Sequence, residues 1–200
     1  DEDDIIDASE LDSDIGNIYP GKGNDTVTNA TSNHTIITGP GEDNISGEKF
    51  GYALWNATQA VIINLKENWS EDGFGTRDTI SGVETIHGSS FGDTMYGSEN
   101  YEKYFVNGGN NTIDGGGGND RASYAPGRGP STNFEITYID GSAHVKGENT
   151  LDILKNVSTI EFMDDAKIFS VDNENGNIRL GETFYGTENY DHFFINEGNN

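Results

Sequence analysis

The sequence of 200 residues contains no cysteine and only 11 lysine or arginine residues, against 35 aspartate or glutamate residues. Without cysteine, no disulfide bond can reinforce the fold. The formal net charge is −24, whereas nucleic acid and anionic membrane surfaces are bound by clustered cations. We therefore exclude nucleic acid and direct binding to an anionic membrane as partners.

Apolar residues are also scarce. Hydrophobic residues make up 32% of the sequence, and no run approaches the roughly 20 consecutive apolar residues that cross a bilayer. A large conventional core is therefore not expected. Low hydropathy with high net charge would ordinarily predict disorder, but an aromatic content of 10% and a strict internal repeat predict an ordered fold.

A nine-residue repeat runs through residues 1–47. The segments GKGNDTV, ATSNHTI and GPGEDNI each begin nine residues after the one before. A second run occupies residues 84–124, and the start of a third occupies residues 182–200, where it is truncated. One apolar residue recurs in each repeat, at Ile18, Val27, Ile36, Ile45, Ile86, Met95, Tyr104, Ile113, Ala122, Phe184 and Phe193.

Nine residues suit a glycine-rich turn followed by a short strand with one inward side chain. Glycine supplies the positive φ angles and the close backbone approach that such turns need. Two repeats make one coil of 18 residues, and stacked coils make a parallel β-roll, a solenoid with a thin core. The sequence thus predicts an all-β fold, a β-roll with strand-rich non-repeat segments at 48–83 and 125–181.

The repeats resemble the RTX, or hemolysin-type, family of calcium-binding nonapeptide repeats. The family pattern G-G-x-G-x-D-x-U-x is met by GGGGNDRA at 115–122, and the turns at 21–27 and 39–45 differ from it by one glycine. The stretch DTISGVETI at 78–86 recurs as DILKNVSTI at 152–160, and both are similar to stretches that link RTX repeats. The resemblance implies a calcium-loaded β-roll.

The spacing of the aspartates explains why such a roll needs a cation. Asp25 and Asp43 are 18 residues apart, so they stack at the strand spacing of about 4.8 Å. Two carboxylates at that distance repel by about 1 kcal/mol in water and by about 3 kcal/mol at an effective dielectric constant of about 20. Calcium relieves this repulsion, because it takes roughly six to eight oxygen ligands and glycine-rich turns offer backbone carbonyls.

We predict that several calcium ions are bound by the carboxylates of Asp25, Asp43 and Asp120. The predicted carbonyl ligands are Gly21, Gly23, Gly39, Gly41, Gly116 and Gly118, and the second-rank candidates are Asp4, Asp93, Glu102 and Asp191. Taken singly, each aspartate is equally explained by its preference for turns, but the shared register favours ligation. Because His34 and Asn111 stand where aspartate is expected, a complete ladder of ions is not predicted.

Catalysis is not predicted within these residues. The four histidines are scattered without the spacing of zinc ligands, and carboxylates are so abundant that no pair is singled out as a glycosidase or lyase pair. The non-repeat segments contain Trp55 and Trp69, which suggest a sugar-stacking or protein-docking face. The alternative, which we favour, is that these aromatic residues brace the open ends of the roll.

The resemblance implies a protein that is secreted through a type I channel and folds when it meets external calcium. We therefore predict a non-catalytic structural module of a secreted or cell-surface protein, such as an adhesin, a surface layer or a filament. One alternative is a carbohydrate-binding or substrate-guiding module of a secreted polysaccharide-modifying enzyme. Another is that acidity reflects a halophilic host, in which case high monovalent salt alone would fold the chain.

The end of the sequence predicts a tandem arrangement. GTENYDHFFINEGNN at 186–200 repeats GSENYEKYFVNGGNN at 97–111. We therefore expect the chain to be part of a longer protein. Unpaired edge strands at the ends of the roll are expected to contact further copies.

Overall fold

A computed structural model describes residues 2–11 and 16–181. Within them the chain forms β-strands and two short 3₁₀ turns, Ala8–Glu10 and Ser131–Asn133, so the predicted all-β class is confirmed. The strands are β1 (Ile5–Asp7), β2 (Asn17–Ile18), β3 (Thr26–Ala30), β4 (Thr35–Ile37), β5 (Asn44–Ala53), β6 (Ile62–Asn64), β7 (Trp69–Glu71), β8 (Arg77–His87), β9 (Thr94–Tyr96), β10 (Lys103–Val106), β11 (Thr112–Asp114), β12 (Asp120–Tyr124), β13 (Glu135–Ile139), β14 (Ser142–Lys146), β15 (Leu151–Lys155), β16 (Val157–Phe162), β17 (Lys167–Asp172) and β18 (Asn177–Gly181).

The strands form two faces of one roll. The order on the first face is β1, β3, β5, β8, β7, β6, β9, β11, β15, β14 and β13. The order on the second face is β2, β4, β5, β8, β10, β12, β16, β17 and β18. The long strands β5 and β8 belong to both faces, because their register shifts in mid-strand where the chain turns the corner.

The core is a ladder of the predicted apolar residues, one from each repeat. Val27 pairs with Ile45 on the first face, and Tyr104 pairs with both Ile86 and Ala122 on the second. Every predicted anchor of the first two runs is buried. Because successive strand side chains point to opposite sides, one inward residue per short strand is enough to fill so narrow a roll.

The predicted non-repeat segment at 48–83 lies within the roll. Its strands β6 and β7 form an antiparallel hairpin that is inserted between β8 and β9 on the first face. Ile63 of this hairpin pairs with Met95 and is fully buried, so the ladder of core residues continues through the insertion. The sheet is consequently mixed, with antiparallel pairs inside an otherwise parallel stack.

The second predicted non-repeat segment, 125–181, starts with the hairpin β13–β14, and its next strands, β15 and β16, pair in parallel with strands of the roll. Leu154 pairs with Ile113 and Ile160 pairs with Ala122, so β15 and β16 complete one more coil than the repeat pattern shows. The antiparallel hairpins β13–β14 and β17–β18 extend the two faces beyond this coil. The third predicted run, 182–200, lies outside the described residues.

Aromatic residues pack together where the roll ends. Phe162 packs against Tyr124 and Phe134, at centroid distances of 4.8 and 4.9 Å, and Phe169 meets it edge-on at 5.8 Å. Aromatic packing of this kind buries apolar area at this end of the roll. None of the helical turns within residues 2–11 and 16–181 is long or apolar enough to cross a membrane.

Candidate metal centres

Buried carboxylates lie where the turns lead into strands. Seven of them occupy equivalent positions along the roll, and each is at most 2% exposed: Asp25, Asp43, Asp78, Asp93, Glu102, Asp120 and Asp152. A buried carboxylate is costly unless its oxygens are paired with donors or cations. The partners of each oxygen therefore indicate what each turn can bind.

In six of the seven, all except Glu102, one oxygen accepts a backbone N–H from the preceding coil. The N–H of Asp4 donates to Asp25 Oδ1 at 2.8 Å, and the N–H of Asp25 donates to Asp43 Oδ1 at 2.8 Å. The N–H of Asp43 donates to Asp78 Oδ1 at 3.1 Å. Asp25 and Asp43 thus stack as their spacing predicts, in a ladder that ends at Asp78.

Two further ladders repeat this arrangement. In the first, the N–H of Val61 donates to Asp93 Oδ1 at 3.0 Å, the N–H of Asp93 to Asn111 Oδ1 at 3.0 Å, and the N–H of Asn111 to Asp152 Oδ1 at 2.8 Å. In the second, on the opposite edge, the N–H of Glu102 donates to Asp120 Oδ1 at 2.7 Å. At these positions a side-chain oxygen therefore holds neighbouring coils together, with or without an ion.

The second oxygen divides the ladder carboxylates into two groups. Oδ2 of Asp25, Oδ2 of Asp43 and Oδ2 of Asp120 are buried and have no hydrogen-bond partner. These three residues are the first-rank ligands that the sequence predicts. A buried, unpartnered carboxylate oxygen requires a proton or a cation.

Backbone carbonyls converge on the glycines of the same turns. A Cβ placed on Gly39 would lie 1.8 Å from the carbonyl oxygen of Gly21, and one on Gly41 would lie 1.8 Å from that of Gly23. Only glycine fits here, because the carbonyl of one turn faces the backbone of the next. The predicted carbonyl ligands of the first run thus lie in the turns that lead into Asp25 and Asp43. Turns rich in oxygen ligands suit calcium.

The turn at 115–120 has the same character. A Cβ on Gly116 would lie 2.2 Å from the carbonyl oxygen of Ser98, and one on Gly118 would lie 2.2 Å from that of Asn100. A Cβ on Gly115 would lie 2.5 Å from Asp120 Oδ2 and 2.7 Å from the carbonyl oxygen of Asn156. An orphaned carboxylate oxygen and backbone carbonyls therefore meet at this turn as well.

The electrostatics of the orphaned carboxylates favour a cation. Burial raises the pKa of Asp43 to about 7 and that of Asp120 to about 7, because the charged form is deprived of water. A divalent cation would reverse this shift, since it stabilises the charged form directly. The residues present therefore fit calcium at the turns 21–25, 39–43 and 115–120.

The second-rank candidates are placed differently. Asp93 Oδ2 accepts the N–H of Ser89 at 2.7 Å and its Oδ1 accepts the Ser89 hydroxyl at 2.5 Å. Glu102 Oε2 accepts the N–H of Ser98 at 3.1 Å, and its Oε1 accepts the Ser98 hydroxyl. Asp4 is exposed on the first coil, and Asp191 lies outside the described residues.

The sequence reasoning missed Asp78 and Asp152 as site residues. The hydroxyl of Tyr52 donates to Asp78 Oδ2 at 2.5 Å, and the hydroxyl of Tyr124 donates to Asp152 Oδ2 at 3.0 Å. Arg128 adds an ion pair to Asp152 at 3.3 Å. The sequence did mark these positions, because Asp78 and Asp152 are the first residues of the similar stretches 78–86 and 152–160. The similarity predicted only that the stretches link repeats, and it did not indicate the tyrosines that bind the two aspartates.

No three side chains of His, Cys, Asp or Glu form a metal cluster within residues 2–11 and 16–181. His34 stands where the repeat pattern has aspartate. Its Nδ1 accepts the N–H of Thr31 at 3.1 Å, so the imidazole hydrogen-bonds within its own turn.

The two tryptophans lie apart. Trp55 is 43% exposed and meets His87 edge-on at 5.2 Å, beside the second face. Trp69 belongs to β7 on the first face, where the guanidinium of Arg77 lies 3.9 Å from its ring centroid. They therefore do not form one continuous binding platform.

Comparison with known families agrees with this geometry. The family model of the RTX calcium-binding nonapeptide repeat matches the chain in four copies, over residues 78–100 and 105–127. No curated protein matches the chain significantly. The chain therefore carries RTX calcium-binding repeats, and the turns at 21–25 and 39–43 lie outside the matched residues.

Proposed function

We propose that this RTX-repeat chain is a non-catalytic structural module of a secreted or cell-surface protein, and that it folds and stiffens on binding extracellular calcium. The observation that carries the proposal is the set of orphaned, buried carboxylate oxygens of Asp25, Asp43 and Asp120. Each belongs to a glycine-rich turn whose backbone carbonyls would complete an oxygen ligand set, and at Asp120 the orphaned oxygen lies beside Gly115 and the carbonyl of Asn156.

Calcium would act on folding through these turns. Bound there, the ion would supply positive charge between coils that otherwise place carboxylates above one another. The chain carries a net charge of −24, so self-repulsion opposes the compact state until cations bind. Since the site does not exist in the unfolded chain, the free energy of binding becomes free energy of folding.

The experiment is a calcium titration of metal-free protein, followed by far-ultraviolet circular dichroism, with magnesium and sodium chloride as controls. We expect a gain of β signal with calcium at about 10⁻⁴ to 10⁻³ M, the range of extracellular modules. Folding with sodium chloride alone would instead support the halophile interpretation. An identical spectrum and stability in chelator and in calcium would contradict the proposal.

Matched variants make the titration specific. Asp43→Asn and Asp120→Asn each remove one orphaned oxygen and should each weaken calcium binding. Asp140→Asn removes the same charge from an exposed turn, where the positive φ of 49° suits asparagine, and should leave binding unchanged. Equal effects of all three variants would mean that only net charge matters.

A second candidate function is binding of a polysaccharide. It is favoured by the aromatic stack on the second face, where His87 lies flat on Phe105 at 4.2 Å beside the exposed Trp55. Exposed rings of this kind stack on sugar faces. Binding to a neutral polysaccharide that is lost in Trp55→Ala and retained in Trp69→Ala would support this function, whereas equal binding by both variants would exclude this surface.

Self-assembly is the remaining part of the proposal. Among residues 2–11 and 16–181, strand β1 pairs with β3 alone and β2 with β4 alone, so within this part of the chain one edge of each offers unpaired backbone groups. Ile5 on β1 is 87% exposed. Analytical ultracentrifugation in calcium tests this part: association that Ile5→Lys abolishes would support it, and a monomer at all concentrations would contradict it.

A further inference from the structure

We propose that Ser89 and Ser98 take the place of calcium in their turns, so that the coils between residues 84 and 111 are held together without an ion. Among the described residues, calcium is then confined to the turns 21–25, 39–43 and 115–120. The inference rests on the proposed calcium-dependent function, because it specifies which coils need calcium in order to fold.

The contacts of the two serines are the same. In each turn the serine stands four residues before the acid, its N–H donates to one carboxylate oxygen, and its hydroxyl donates to the other. Ser89 serves Asp93 and Ser98 serves Glu102 in this way. Because Glu102 is one methylene longer than Asp93, the recurrence reflects the serine and not the length of the acid.

The corresponding position in the calcium turns is always glycine. Four residues before Asp25, Asp43 and Asp120 stand Gly21, Gly39 and Gly116. Glycine has no hydroxyl to donate, and in all three turns the second carboxylate oxygen is orphaned. One side chain thus separates the two kinds of turn.

The carboxylate of Asp120, in a glycine turn, occupies the same place as those of the two serine turns. A Cβ placed on the residue five before the acid would lie 2.4 Å from Asp93 Oδ2 at Gly88, 2.8 Å from Glu102 Oε2 at Gly97, and 2.5 Å from Asp120 Oδ2 at Gly115. All three acids therefore bend back under their turns. What differs is whether a serine or an ion satisfies them.

A carboxylate with donors on both oxygens has no need of a cation. Hydrogen bonds to a charged group are stronger than neutral ones, so the serine turns are stable in metal-free protein. The tyrosines that bind Asp78 and Asp152 act by the same principle at the ends of two ladders. Metal-free protein should therefore retain an ordered middle between ends that await calcium.

Hydrogen–deuterium exchange with mass spectrometry on the whole chain tests this inference. In chelator, we expect protected amides in β9, β10 and β11 and rapid exchange in β3 and β4. Calcium should protect β3 and β4 and change the middle strands little. Rapid exchange of the middle strands in chelator, reversed by calcium to the same degree as in β3, would overturn the inference.

Serine variants distinguish a failure of this inference from a failure of the proposed function. Ser89→Ala with Ser98→Ala should speed exchange of the middle strands in chelator by about tenfold, the equivalent of about one hydrogen bond to a charged group. Ser98→Thr keeps the hydroxyl at a half-buried position and should stay close to the wild type, whereas Ser98→Ala alone should speed exchange. If Ser98→Thr and Ser98→Ala behave alike, this serine does not hold its turn and the inference fails.

Calcium stoichiometry by titration calorimetry is the second readout. Asp93→Asn and Glu102→Gln should leave the number of bound ions unchanged, whereas Asp43→Asn should lower it. A loss of ions in Asp93→Asn or Glu102→Gln would overturn the inference while supporting calcium binding. Absence of any calcium binding by the wild-type chain would instead contradict the proposed function.

Discussion

The glycine turns at 21–25 and 39–43 and the serine turns at 88–93 and 97–102 solve the same problem in two ways. Both bury a carboxylate, and at Asp25, Asp43 and Asp93 one carboxylate oxygen accepts a backbone N–H from the neighbouring coil. The glycine turns leave the second oxygen orphaned, whereas the serine turns supply it with donors from within the same turn.

The hydrogen bonds of the carboxylate ladder therefore do not depend on a bound ion. The carboxylate is needed first to hold backbone N–H groups between coils, and calcium is needed only where no side chain satisfies the remaining oxygen. Burial of charge is tolerated in both kinds of turn, because hydrogen-bond donors satisfy the carboxylate oxygens of the serine turns and calcium would satisfy the orphaned oxygens of the glycine turns. A β-roll can therefore alternate coils that depend on calcium with coils that do not.

The largest expected effect comes from filling a glycine turn. Gly41→Ala places a Cβ 1.8 Å from the carbonyl oxygen of Gly23, so the two coils must move apart. We expect a loss of about 3 kcal/mol of unfolding free energy, the upper range of overpacking, together with weaker calcium binding. Gly16→Ala is the control, because nothing lies within 4 Å of its Cβ position, and equal losses in thermal unfolding would contradict the assignment.

The next effect tests the tyrosines that satisfy ladder carboxylates. Tyr52→Phe removes the hydroxyl that donates to Asp78 and should cost about 2 kcal/mol, because it leaves a buried carboxylate oxygen with weaker donors. Tyr104→Phe is the matched control, since the hydroxyl of Tyr104 is buried without a partner, and it should cost nothing. Chemical denaturation in calcium measures both, and equal costs would refute the distinction.

Acidification should have opposite effects with and without calcium. The pKa values of Asp43 and Asp120 are about 7 in the folded, metal-free chain, against 3.8 for an unperturbed aspartate. A raised pKa means that the folded state binds protons more tightly, so metal-free stability should increase as the pH falls from about 7 towards about 4. In calcium the protons compete with the ion, so stability should decrease over the same interval.

Thermal unfolding at about pH 7.5 and about pH 5, in metal-free and calcium-loaded samples, measures this reversal. Asp43→Asn with Asp120→Asn should diminish it, because both raised groups are removed. The same direction of change in both samples would show that these carboxylates are not what calcium neutralises.

The smallest effect is expected from an acid outside the ladders. Asp114 forms a 2.9 Å ion pair with Lys155 on the outer surface. Because water solvates both partners, Lys155→Met should change the unfolding free energy by less than about 1 kcal/mol and leave calcium binding unchanged. A large loss of calcium affinity would mean that surface charge, and not the buried turns, governs binding.

Much of the fold could be predicted from the period of the sequence. The nine-residue spacing identified the residues that fill the core, and the 18-residue spacing identified the stacking of Asp25 on Asp43. What it could not predict was that β15 and β16 rejoin the roll, because Leu154 and Ile160 follow a hairpin that interrupts the period.

The candidate site was predicted in the same uneven way. Asp25, Asp43 and Asp120 were identified because glycine and aspartate recur at fixed spacing. The serine closures at Asp93 and Glu102 were not, because a hydroxyl four residues away becomes a donor only when the turn bends the acid back towards it.

The sequence by itself determined the coil, its inward residues and the acids that face the turns, because these depend on local periodicity and on the conformational freedom of glycine. The tertiary structure decided which carboxylate oxygens are satisfied and where each ladder ends. Tyr52 is 26 residues from Asp78, and Tyr124 is 28 residues from Asp152. Such partners meet only when coils stack, so the line between protein-satisfied and ion-dependent turns is a property of the folded roll.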